Sequence, residues 1–102
     1  MQRPPKVVGI PWYTTENYRA CLEIMADQEI LPLAYQSWLE YAQEAAKNVE
    51  DTGGRLLRVF IDPAEFPFWC RARGLQPDAR ARTRYANFVA FRDVISSPET
   101  RW

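Results

Sequence analysis

Apolar and polar positions change period several times along the chain, and each change marks an element. Lys6 to Tyr13 is rich in β-branched and aromatic types and predicts a first strand. Pro11 has no amide to give to a ladder, so that end belongs at a sheet edge or just beyond the pairing. Thr14 and Thr15 then offer caps, and Tyr18, Cys21, Leu22 and Met25 recur at helical spacing, predicting a helix from about Glu16 to Asp27. Ile30-Leu31-Pro32-Leu33 breaks it. A stronger stripe follows through Tyr35, Trp38, Leu39, Ala42, Ala45, Ala46 and Val49, with Glu40, Glu44, Lys47 and Glu50 off it. Gly53-Gly54 supplies the left-handed residue that stops a helix.

Leu56 to Ile61 is apolar except for Arg58 and predicts a second, more buried strand. Asp62-Pro63-Ala64-Glu65 then sets a capping residue, a proline at the first helical position and a carboxylate three residues after the cap. A third helix starts there. Pro67 lacks the amide for its backward bond, which predicts a bent or tightened first turn, and Gly74 closes the element with Leu75 folding back on it. Pro77-Asp78 opens a fourth helix to about Ile95, with Ala81, Tyr85, Phe88, Val89 and Ile95 on its inner arc. Arg92 projects onto the same arc. It is expected to be paired with a carboxylate and at least half buried, the alternative being an exposed stem lying over Phe88.

The element order β-α-α-β-α-α predicts an α+β fold. With the first two helices as an antiparallel hairpin, the second strand descends beside the first, giving two antiparallel strands packed against four helices. Two strands alone are a marginal sheet. Either the helices cover them, or dimerisation completes the sheet across a two-fold axis. Residues 1–102 read as a single globular domain, with frayed ends at about 1–5 and 97–102.

The five Phe, five Tyr and four Trp are the main source of a core in a chain of 102 residues. Thirteen basic side chains balance thirteen acidic ones, but unevenly: residues 1–65 carry a net −4 and residues 66–102 a net +4. The absence of His removes Ser-His-Asp and Cys-His nucleophilic sites, imidazole proton shuttles and the common zinc ligand sets. Cys21 and Cys70 stand far apart without a C-x-x-C, so reduced thiols are expected, with no metal site and no cofactor. No apolar run approaches the roughly 18 residues of a spanning helix, and no signal-peptide cleavage pattern is present. The expected location is the cytoplasm, without membrane contact.

Val8-Gly9-Ile10-Pro11-Trp12-Tyr13, the Leu31-Pro32 turn ahead of Trp38-Leu39, Ile61-Asp62-Pro63-x-Glu65-Phe66, Trp69-Cys70-Arg71-Ala72-Arg73-Gly74-Leu75 and Arg84-x-Ala86-Asn87 are spread along nearly the whole chain. In these segments the sequence resembles a family of short bacterial proteins of unknown function. The resemblance implies a bacterial, cytosolic origin and brings no activity, cofactor or site residue.

Three constellations carry candidate chemistry. Trp12, Tyr13, Thr14 and Thr15 close the first strand, and the hairpin argument brings Arg55 to the same pole, where helix amides, hydroxyls, a guanidinium and an aromatic wall would form an anion or ligand pocket. The plainer reading has Thr15 capping the helix and Trp12 filling the core. Cys70 beside Arg71 and Arg73 suggests a thiolate, but it sits late in its helix without a base and reads better as a buried structural thiol. Arg80, Arg84 and Tyr85 resemble a phosphate and base grip, yet Arg82 points away from them, so no single stripe forms. With so poor a catalytic inventory, the expected function is a non-enzymatic protein that self-associates as a homodimer or meets another protein partner. Nucleic-acid or anion binding through the Arg-rich second half is the alternative, and a small enzyme with a pocket near Trp12 and Arg55 comes third.

Overall fold

The computed structural model describes residues 7–96. The expected fraying at 1–5 and 97–102 falls outside them. The elements are β1 (Val7–Trp12), α1 (Tyr18–Ile24), a 3-10 turn (Gln28–Ile30), α2 (Tyr35–Asp51), β2 (Arg55–Phe60), α3 (Glu65–Ala72) and α4 (Ala79–Ser96). Four helices and a two-stranded sheet make an α+β domain, as the pattern predicts.

The strands are parallel, not antiparallel: Val7 stands opposite Arg55 and Trp12 opposite Phe60. The expected helical hairpin does not form. Helix α1 has seven residues and ends where Met25 turns extended, so it cannot carry the chain back along the sheet. The chain remains near the carboxyl end of β1 through the 3-10 turn. Helix α2, with 17 residues and a length of about 25 Å, makes the whole return by itself. A single return brings β2 in at the same end as β1, which is the parallel arrangement.

Alternation along the strands divides their side chains between two layers. Ile10, Trp12 and Leu56 pack with Trp38, Ala42 and Ala46 of α2. Val7, Leu57 and Val59 pack with Ala86, Val89 and Ala90 of α4. Helices therefore cover both faces of a sheet that would be marginal alone.

Contact with α4 is closest at Gly9. A Cβ there would stand 2.6 Å from the Ala86 carbonyl carbon and nearer still to its oxygen. The Gly9 N–H donates to Asn87 Oδ1 at 3.0 Å, tying β1 to the helix.

Both glycine stops take left-handed backbone, Gly53 at φ 82° and Gly74 at φ 68°. After each, the next amide donates back to the helix it closes: Gly54 to the Val49 carbonyl and Leu75 to that of Cys70. Asp62 caps α3, its Oδ1 accepting from the amides of Ala64 at 2.8 Å and Glu65 at 2.9 Å. Among the described residues no helix is long and apolar enough to cross a membrane.

Candidate functional site

The pole expected around Trp12 and Arg55 is not assembled. In a parallel pair Arg55 begins β2 while Trp12 ends β1, so they lie at opposite ends of the sheet, about 17 Å apart along the strand direction. Trp12 and Tyr13 are core residues. Trp12 meets Trp38 edge-on at 5.2 Å between ring centroids, Tyr13 meets Trp38 at 4.8 Å, and Tyr18 and Tyr35 extend the cluster. The Tyr18 hydroxyl donates to the Pro32 carbonyl and the Tyr35 hydroxyl to that of Tyr13. Thr14, not Thr15, serves the helix start: its Oγ1 accepts from the Asn17 amide at 3.1 Å, and Thr15 is exposed.

Both cysteines are buried and reduced. Burial, followed by the nearby Asp62 carboxylate, pushes the Cys21 thiol up to about 11. Burial, then Asp78, raises that of Cys70 against the opposing pull of Arg73. In both, burial disfavours the thiolate, the form that acts as a nucleophile. Among the described residues no cluster of acidic residues and cysteines could hold a metal ion.

Arg92 is exposed, contrary to expectation, with its guanidinium 5.7 Å from the Phe88 ring centroid. The buried arginine of α4 is Arg82, only 6% exposed. Its guanidinium grips Asp27 through two bonds, 2.7 Å to Oδ1 and 3.1 Å to Oδ2, and approaches Met25 Sδ at 3.4 Å. Asp27 Oδ2 also accepts from the Ala79 amide, so one carboxylate caps α4 and pairs with its second turn. Burial alone would raise the Asp27 carboxyl, but the Arg82 bond and charge and the Ala79 amide outweigh it and hold it below the ordinary range. The inner arc expected for α4 holds in part: Ala81 is buried and Tyr85 and Val89 pack against the core, whereas Phe88 is exposed and the Ile95 side chain lies outside the described ones. The alanines that meet the sheet are Ala86 and Ala90, with Arg82 buried one turn before them, and the spacing of those small side chains is the available signal.

Phe88, displaced from the sheet, helps to form an open groove of about 500 Å³ between α3 and α4. Trp69 is its centre. Phe66 stacks on it at 6.5 Å, Tyr85 meets it edge-on at 5.1 Å and Phe88 lies tilted at 5.9 Å. The Trp69 indole N–H is enclosed without an acceptor among the described residues. Phe68, one residue along α3, stands 68% exposed at the rim.

Guanidinium groups flank the aromatic floor. Arg73 lies 4.3 Å from the Trp69 ring centroid and 5.3 Å from that of Phe88, and its Nη1 donates to the Trp69 carbonyl. Arg92 and Glu65 line the groove near Tyr85. Burial raises the Tyr85 hydroxyl, Glu65 adds to that, and Arg92 opposes it. Among the described residues neither Arg73 nor Arg92 forms an ion pair, since the pairs there are Lys47 with Asp51 and Arg82 with Asp27.

Arg80 and Arg84 are exposed one turn apart on α4. Tyr85 is no free stacking platform for them, because its ring is already engaged by Phe66 and Trp69. Comparison with protein-family models, curated proteins and solved structures finds no match.

Proposed function

We propose that the protein works without catalysis, as an interaction module that self-associates through the groove between α3 and α4. The observation that carries this reading is the solvent-open groove with Trp69 and Phe88 at its floor and Phe68 at its rim, flanked by Arg73 and Arg92. Trp, Tyr and Arg are the residue types that anchor protein interfaces, because each combines large apolar area with a polar or charged tip. The thiols support the non-enzymatic part, since both are buried with raised pKa values. Two free thiols also fit the reducing conditions of a cytoplasm.

Sedimentation velocity over a concentration series tests the proposal. Mass should rise above that of the monomer as protein is added, and Phe68→Ser, an exposed position whose loss leaves the core intact, should hold the chain monomeric. A wild-type protein that remains monomeric at high concentration retires the reading.

A further inference from the structure

The self-association reading leaves open what enters the groove, and a second exposed apolar feature answers that. The segment Glu29 to Leu33, between α1 and α2, carries Ile30 at 63% exposure and Leu33 at 91%. A leucine so exposed is a knob without a socket in its own chain. Beside it, Glu29, Ile30, Pro32, Trp38 and Tyr41 border a shallow hollow, and Tyr41 is itself exposed. The two surfaces share no residue, so one molecule can present both at once.

Charge separates the surfaces as strongly as shape does. From Ala20 to Ala46 the chain has no Lys or Arg and five acidic residues: Glu23, Asp27, Glu29, Glu40 and Glu44. From Phe66 to Arg92 it has six Arg, with Asp78 the single acid, and the groove itself is lined by Arg73 and Arg92 against one carboxylate, Glu65, whereas the hollow beside the turn is lined by Glu29 and no basic residue. Asp27 and Arg82 satisfy each other within the molecule. Glu29 and Glu40 on one side, and Arg73 and Arg92 on the other, form no ion pair among the described residues. Resting on the self-association reading, we infer that the Glu29–Leu33 turn of a second copy of this chain occupies the groove between α3 and α4. Leu33 and Ile30 then lie on the Trp69 and Phe88 rings, and Glu29 lies within reach of Arg73 or Arg92. Such a contact is heterologous, groove to turn, and opposite charge guides its register.

A complementation experiment decides. Leu33→Arg disables the turn and Phe68→Ser disables the groove. Both positions are exposed, so both variants should keep the wild-type circular dichroism, and the wild-type melt at concentrations where the wild type is monomeric. Arg73→Glu is a second groove variant in case Phe68→Ser perturbs α3. Sedimentation is read from about 1 µM to about 1 mM, a range suited to small interfaces. The wild type should associate, and more weakly as salt is raised. Each variant alone should lose at least about tenfold in affinity. An equimolar mixture of the two should regain a 1:1 complex, because each supplies the surface the other lacks.

If the wild type associates and Phe68→Ser abolishes it while Leu33→Arg does not, the turn is not the occupant and the groove reading survives. Two variants that fail to complement also overturn the turn. A wild type that never associates overturns both readings together. A monomer that binds single-stranded oligonucleotide through Phe68 would give the groove to nucleic acid and overturn the inference.

Discussion

Gly9 is constrained by space. Its backbone is not left-handed, yet a Cβ would be driven into the Ala86 peptide, and backbone cannot swing aside as a side chain can. Gly9→Ala should therefore cost about 3 kcal/mol, the upper end for overpacking, as a lower urea midpoint. Arg82 is the second decisive residue. Removing it leaves the Asp27 carboxylate, whose side chain is 18% exposed, without its guanidinium. A fully enclosed pair would lose about 3–5 kcal/mol, and the access of water to Asp27 brings the expected loss for Arg82→Ala toward about 3 kcal/mol. Arg92→Ala, ten residues on, should change stability by about 0.5 kcal/mol, because that side chain is exposed and covers only Phe88. Denaturant melts of the two arginine variants side by side test the assignment, and a larger loss at Arg92 would reverse it.

Helix α3 is set by one carboxylate. Asp62 satisfies the amides of Ala64 and Glu65, and Pro67 has no amide to contribute to that turn. Asp62→Ala should cost about 1 kcal/mol, the usual worth of an N-cap, and melts that overlay the parent would show that the cap contributes nothing. Helix α4 is tied at its start to the segment after α1, through the Ala26 amide to the Pro77 carbonyl and through the Asp27 carboxylate. Asp27 has a lowered carboxyl pKa, so its folded value lies below its unfolded one. Its stabilisation is complete above roughly pH 4 and disappears as pH falls through the folded value. Between about pH 5 and pH 2 the parent should therefore lose more stability than Asp27→Asn, which has nothing there to protonate. Equal slopes for the two proteins in acid would remove Asp27 from the account.

For the whole molecule, self-association and stability are linked. Association stabilises only folded chains, so the melting temperature should rise with protein concentration and lose that dependence in Phe68→Ser. A concentration-independent melt would contradict the proposed function. Reducing agent should leave the melt unchanged, since Cys21 and Cys70 are free thiols in the core. The chain has no His, and the pole that had been the candidate pocket is a packed aromatic cluster.

Local features were determined by sequence alone. The two strands, the glycine stops at Gly53 and Gly74, the Asp62 cap and the stripe of α2 all depend on residues within a few positions of one another, and each was legible. Strand direction was not, because it depends on how far α1 travels before Met25 turns extended, and the apolar spacing through Met25 gives no sign of that early end. On α4 the buried side was legible at Ala81, Tyr85 and Val89 but not at Phe88 or Arg82, for a related reason. Bulk ordinarily marks the buried side of a helix, but the absent side chain of Gly9 lets the α4 backbone approach the sheet so closely that Ala86 and Ala90 suffice there. Phe88 and Tyr85 are thereby turned toward α3 and form the groove, while Arg82 is drawn inward to Asp27, 55 residues away in sequence. Contacts at that separation depend on the path of the whole chain, and only the tertiary structure decides them.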